Sequence, residues 1–178
     1  CEFRGFSGTV ANGGVEKAIN AKGFANITVG QVDKLTKLAQ EAGAKGLAYI
    51  QARDTDRSTW RSPFVKRMTD GEVEALRKKL NIEPGDLILF AADKWEPACD
   101  VLGRIRLEVA DYQNLLEGNT ALDFLWVTEF PLLAFDEEEG RYVAVHHPFT
   151  RPLKEDEENL RNGELDGLRA QAYDVVLN

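Results

Sequence analysis

Apolar residues recur along this chain with two different periods, and the switches between them mark out its elements. In Gly30 to Ala42, GQVDKLTKLAQEA, the residues Val32, Leu35, Leu38 and Ala39 return at three- and four-residue spacing, as on one face of a helix. Gly43 then stands where a C-terminal cap belongs. A second helix, TDGEVEALRKKL, opens on Thr69 and Glu72 at capping-box spacing, with acidic residues in its first turn and Lys78 and Lys79 near its end. GLAYIQ, Gly46 to Gln51, is a short buried strand, and DLILFAAD follows the turn Pro84-Gly85 as another. Residues 2–20 read as a β-hairpin, with EFRGFSGTV and VEKAIN joined by ANGG, because Asn12-Gly13 tolerates the positive φ of a tight turn. Glu96 to Leu116 predicts a third helix, interrupted at Gly103. The order strand, strand, helix, strand, helix, strand predicts an α+β domain, an antiparallel sheet of about four strands with helices on one face.

Beyond residue 120 the pattern changes. Phe124 to Phe135, FLWVTEFPLLAF, is β-prone, and Pro131 marks a strand end, bulge or edge. DEEEG at 136–140 closes a hairpin onto Arg141 to His147, Glu155 to Leu168 is polar helix or loop, and AQAYDVVLN, Ala170 to Asn178, is a last strand. With no turn or polar tail after it, that strand reads as a cut end. Charge breaks at the same place: residues 1–120 carry 17 basic and 17 acidic side chains, while 121–178 carry 5 and 13 and so hold the whole net charge of −8. Two units follow, 1–120 and 121–178, with the boundary near Leu115 to Ala121.

An acidic total argues against indiscriminate polyanion binding, but leaves room for a basic face on the neutral first unit. The chain of 178 residues, 43% apolar, is long enough to bury a core. No apolar run approaches the ~20 residues of a membrane span, and CEFRGFSGTV has no basic-then-apolar leader. Two distant cysteines, Cys1 and Cys99, suit a reducing cytoplasm better than a disulfide scaffold.

The only two histidines are adjacent, His146 and His147, in RYVAVHHPFTRP. On a continuous strand they would face opposite ways, so both serve one site only if the strand breaks, as Pro148 would favour. Four-ligand zinc spacing is absent, and no nucleophile setting of the Gly-x-Ser-x-Gly kind accompanies them, so metal and covalent roles are not expected. Two readings stay open: a hydrogen-bonded histidine at a strand end beside an exposed one, or an imidazole donating to an anionic or carbonyl-bearing ligand. Arg53 to Lys79 holds eight basic and five acidic residues around Trp60. Arg53, Arg57 and Arg61 with Trp60 form either an RNA-facing edge, phosphates on the arginines and a base on the indole, or a solvated surface with one aromatic packed beneath it.

Phe124 to Pro152 resembles the segment of bacterial-type aspartyl-tRNA synthetases reading FLWVxDFPLFExDEExxRxxxxHHPFTxP, and AQAYDVVLN resembles the family's AxAYDxVLN strand. GAKGLAYIQ, SPFVK, PGDLILFAAD and VLGRIRLEV look like the family's insertion, the GAD domain. The resemblance implies a fragment of a class II synthetase: a GAD/DCoH-like insertion over 1–120, then a hairpin and strand of the catalytic core. It implies an aspartate-tRNA ligase, cytoplasmic and homodimeric, using ATP and Mg²⁺ with aspartate and tRNA(Asp). His146 and His147 match HHPFT, which in the family contributes to the aspartate pocket. Glu129 stands where the family has Asp, and Leu133-Ala134 replaces Phe-Glu, positions expected to serve packing. The family's motif-2 arginine, its Gly-Gly-Gly-Ser run and its motif-3 arginine have no counterpart here, so the resemblance implies no catalytic residue in the fragment, no bound cofactor and no activity alone. A different class remains: residues 1–120 as a binding module like the related domain of tRNA-dependent amidotransferases, which gives no reason for HHPFT or AYDVVLN.

Overall fold

A computed structural model describes residues 4–118 and 120–177. The chain divides into two compact units, the break falling between Asn119 and Thr120.

The first unit runs α1 (Arg4–Ala11), β1 (Val15–Ala21), α2 (Val29–Glu41), β2 (Ala48–Ala52), two short 3-10 turns (Arg57–Thr59 and Val65–Arg67), α3 (Asp70–Leu80), β3 (Asp86–Asp93) and α4 (Trp95–Tyr112). Its sheet is antiparallel, in the order β1-β3-β2, with Ile19 opposite Leu89 and Ile50 opposite Ile88. The unit is α+β as expected, but three features of the sequence reading change. The sheet has three strands rather than four. Residues 4–11 are helical, so the expected hairpin over 2–20 is a helix followed by one strand (residues 1–3 lie outside the described residues). Helices cover both faces rather than one.

The first change has a local cause. The Asn12-Gly13 pair closes a helix instead of a hairpin: Gly13 takes φ +80, and Gly14 N–H donates to Thr9 O at 2.9 Å. A left-handed glycine satisfies a helix end as readily as a tight turn, so the same dipeptide signals both. Gly14 allows close packing there, since a Cβ on it would lie 2.9 Å from Asp93 O.

The coverage of both faces is written in β3, where alternate residues go opposite ways. Leu87, Leu89 and Ala91 pack with Leu35 and Ala39 of α2 and with Ala98, Val101, Leu102, Ile105 and Val109 of α4. Ile88 and Phe90 pack on the other side with Ile50, Trp60, Phe64 and Val73 of α3. A central strand buried on both faces is apolar without alternation, which is what DLILFAAD is.

The second helix and its start match the expected pattern: Thr69 and Glu72 form a reciprocal capping box. A further box at Thr28 and Gln31 opens α2. Helix α4 runs through Gly103 without a break and ends at Tyr112, four residues before the expected end.

In the second unit β4 (Phe124–Thr128) pairs antiparallel with β7 (Tyr173–Leu177), and β5 (Leu133–Asp136) forms a hairpin with β6 (Arg141–Ala144). The hairpin loop closes on Asp136, whose Oδ1 accepts from Glu138 N–H and Glu139 N–H while Gly140 takes φ +63. A 3-10 turn (Lys154–Asp156) leads into the one-turn helix α5 (Glu157–Arg161). The buried core of this unit is small, formed by Leu132, Leu168 and Ala170.

Candidate functional site

The histidine pair sits just past the end of β6, which stops at Ala144. The strand therefore breaks before the histidines, two residues earlier than Pro148 alone would require, and the strict alternation of faces does not apply to them. Both are exposed. His146 meets Phe130 edge-on, with ring centroids 4.9 Å apart and planes at 86°. His147 turns the chain: its carbonyl accepts from Thr150 N–H at 2.9 Å, and its Nδ1 accepts from Phe149 N–H at 3.2 Å. With Nδ1 accepting, the neutral ring carries its proton on Nε2, which makes that nitrogen a hydrogen-bond donor. The neighbouring Phe149 is 90% exposed. Two imidazoles in one solvent-facing bend, one of them in a defined tautomer, suit an anionic or carbonyl ligand.

The bend is anchored on both sides of one central segment. Leu168 to Gln171 lies between residues 130–132 and 151–153: Leu132 N–H donates to Leu168 O (2.8 Å) and Ala170 N–H to Phe130 O (2.6 Å) on one side. Leu153 N–H donates to Arg169 O (2.8 Å) and Gln171 N–H to Arg151 O (2.9 Å) on the other. Val145 N–H joins the first side through Leu132 O at 3.2 Å. The loop carrying the histidines thus starts on one flank of the central segment and returns to the other.

Arg169 is the charged centre of this arrangement. Its Nε and Nη2 donate to Oδ2 and Oδ1 of Asp156 at 2.9 and 3.0 Å, and its backbone N–H adds a third bond to Oδ2 at 2.9 Å. The Arg169 guanidinium and that backbone bond hold the Asp156 carboxyl below the usual carboxylate range, against the opposing effect of burial. Nη1 of Arg169 lies 3.6 Å from Glu129, a residue at φ +59. Glu129 was expected to serve packing; it is instead an exposed ion-pair partner in a left-handed conformation, one that Asp and Asn adopt several-fold more readily than other non-glycine residues. Glu129 and Arg169 also line a cleft of about 470 Å³ with Thr128, Leu153, Gln171 and Tyr173, and neither histidine is part of its lining. Nothing in the sequence joined Asp156 to Arg169: they are 13 residues apart in a stretch that reads as polar loop.

The basic segment of the first unit separates into two kinds of residue. Trp60 is 5% exposed, and its indole N–H donates to Asp54 O at 2.8 Å while Arg77 stacks on the ring at 5.1 Å. Arg57 is spent within the segment, donating to Val65 O at 2.7 Å and to Met68 O, and pairing with Asp70 at 2.5 Å. A base cannot stack on a buried indole, and the Arg57 guanidinium already closes the loop that leads into α3, so these two leave the expected RNA edge. Arg53 and Arg61 stay exposed.

A second cleft, of about 750 Å³, runs over small residues of the first unit, among them Gly8, Gly14, Ala48 and Ala98, with Lys45 and Lys94 also in its lining. Among the described residues no three His, Cys, Asp or Glu side chains converge to hold a metal ion, and no helix is long and apolar enough to cross a membrane.

A pattern described as the GAD domain matches residues 6–102. Over its whole length the chain is similar to larger proteins. It is 48% identical to the aspartate-tRNA(Asp/Asn) ligase of Opitutus terrae, over 99% of this chain and 30% of that protein. It is 48% identical to the ligase of the same name from Lachnoclostridium phytofermentans, over 100% of this chain and 29% of that protein. The aspartate-tRNA ligase of Agathobacter rectalis is 45% identical over the same shares. The chain thus spans a little under a third of the length of these curated relatives.

Proposed function

Because the chain belongs to the GAD domain family, we propose that it is a segment of an aspartate-tRNA ligase, the first unit being the enzyme's insertion domain and the second a part of its catalytic core. The observation that carries this reading is that the similarity to such ligases runs through both units, 121–178 included, and not through the GAD domain alone. A binding module of an amidotransferase would account for residues 1–120 and leave HHPFT and AYDVVLN without a purpose.

In the whole enzyme an aspartate carboxylate oxygen attacks the α-phosphorus of ATP, and pyrophosphate leaves. A tRNA 3′ ribose hydroxyl then attacks the carbonyl of the aspartyl-adenylate, and AMP leaves. This chain's contribution is to binding. His146 and His147 donate hydrogen bonds to the aspartate from one bend, His147 through Nε2, and this fixes the amino acid for attack. Mg²⁺, when bound with ATP, neutralises phosphate charge; no ligand set for it comes together among the described residues, and none of these roles depends on it. The 178 residues alone have no arginine set for phosphoryl charge and are inactive. Arg53 and Arg61 form what remains of an RNA-facing edge on the insertion domain. The full enzyme works in the cytoplasm as a homodimer.

The experiment is aspartate-dependent exchange of pyrophosphate into ATP by the full-length enzyme and by its His146→Ala variant, with the isolated chain as a third sample. Loss of an imidazole donor raises the aspartate KM by about tenfold or more while the KM for ATP holds, and the isolated chain gives background exchange only. An unchanged aspartate KM in His146→Ala would remove the histidines from the pocket, and exchange by the isolated chain would refute its inactivity.

A further inference from the structure

The histidines' bend has little of its own to hold it: its rings are exposed, its strand has ended, and its internal hydrogen bonds are those of a short turn. Its geometry is therefore set by the two flanks from which it springs. Both flanks hang on the backbone of 168–171, and within that segment one side chain is tied down by charge. Asp156 is 8% exposed, and Arg169 takes up both its oxygens. A two-point guanidinium–carboxylate contact fixes a plane as well as a distance, which an ammonium does not.

Two routes lead from that clamp to the imidazoles. Through Nη1, Arg169 reaches Glu129, whose left-handed backbone leads directly into Phe130, the ring against which His146 stands. Through its own carbonyl, Arg169 holds Leu153, and through Ala170 and Gln171 the segment holds Phe130 and Arg151, the residues framing the loop. Arg169 is thus bonded to both flanks, and its hydrogen-bond and ion-pair partners are Asp156, Glu129 and Leu153 rather than either histidine.

We propose that Arg169, clamped by Asp156, is the positioning residue of the aspartate pocket, setting the separation and tilt of the two flanks that present His146 and His147. This rests on the reading of the histidines as aspartate contacts. The amino acid feels the clamp through the placement of the imidazoles, while ATP, which these histidines do not hold in that reading, does not. Loosening the clamp therefore moves one substrate constant and spares the other, a signature that general loss of folding does not give.

The test uses the full-length ligase with Arg169→Lys, Asp156→Asn and Asp156→Glu, beside His146→Ala, all normalised by active-site titration. Arg169→Lys keeps the charge and gives up the two-point contact; it raises the aspartate KM by about tenfold, the scale of a displacement under 1 Å, and leaves the KM for ATP within about twofold. Asp156→Asn does the same, and Asp156→Glu recovers part of the loss. If His146→Ala raises the aspartate KM and Arg169→Lys does not, the positioning role is wrong while the pocket stands. If Arg169→Lys lowers only the active fraction, with both KM values unchanged, Arg169 is structural and the proposal falls. If His146→Ala leaves the aspartate KM unchanged, the pocket reading fails and takes this inference with it.

Discussion

Asp86 opens β3 at 2% exposure, and four donors converge on its carboxylate: Asn20 Nδ2 at 2.9 Å, Lys22 Nζ at 3.0 Å, Gly23 N–H at 3.0 Å and Glu83 N–H at 2.9 Å. Burial alone would push its pKa up, but the donated hydrogen bonds outweigh it and hold the group below the ordinary carboxylate range. The folded pKa is depressed, so the stabilisation is present above the unfolded value of about 3.9 and is lost as pH falls through the folded value. Asp86→Asn leaves buried donors without an acceptor and should cost about 1–3 kcal/mol at neutral pH. Urea titrations of both chains at pH 7 and pH 3 check this. The difference between them narrows at pH 3, and an equal difference at both values would mean that the charge of Asp86 contributes nothing. None of this was visible in the sequence, where Asp86 is only the residue after a Pro-Gly turn. Glu83 is a local partner, but Asn20, Lys22 and Gly23 come from β1 and the turn beyond it, more than sixty residues away, and only the sheet brings them together.

Elements governed by local chemistry were legible and those governed by tertiary packing were not. The capping box at Thr69, the glycine after α2 and the unbroken apolar run of β3 each state their own structure. The helix at Arg4–Ala11 was hidden because Asn12-Gly13 serves two structures equally well. Helices on both faces were legible in principle, since DLILFAAD lacks the alternation of a half-solvated strand. The stretch between β2 and α3 carried two readings, an RNA edge with phosphates on Arg53, Arg57 and Arg61 and a base on Trp60, or a solvated surface over a packed aromatic, and packing divides these residues. Trp60 is needed by the core beneath β3 and Arg57 by the loop itself, so Arg53 and Arg61 alone remain for phosphate. Reversing both to Glu in the full-length enzyme should weaken tRNA binding and reduce its salt dependence by about one unit per arginine. The unchanged fold of the segment, reported by Trp60 fluorescence, is the control. Equal affinity and equal salt slope would leave the insertion domain without an RNA contact at this edge.

The two units bury themselves to very different degrees, and that sets how each behaves alone. The first has an apolar layer on each side of its sheet, built from the strands and from helices α2, α3 and α4. The second rests, among its described residues, on three buried apolar side chains, and the paired strands β4 and β7 leave Phe124, Leu125, Trp126, Tyr173, Val175, Val176 and Leu177 exposed. Those residues include neighbours in sequence, so the ribbon is open on both faces. An isolated two-stranded ribbon is marginal in water, and an apolar surface of that kind marks a place that other chain covers. About 70% of the length of the curated relatives lies outside the part this chain matches, which is ample to do so. Residues 1–119 alone should therefore unfold in a single cooperative urea transition with a buried, blue-shifted Trp60. Residues 120–178 alone should bind a hydrophobic dye, show Trp126 emission near that of free indole, and give no cooperative transition. A sharp transition in the second piece would mean that its exposed ribbon is stable unaided and needs no further chain to cover it.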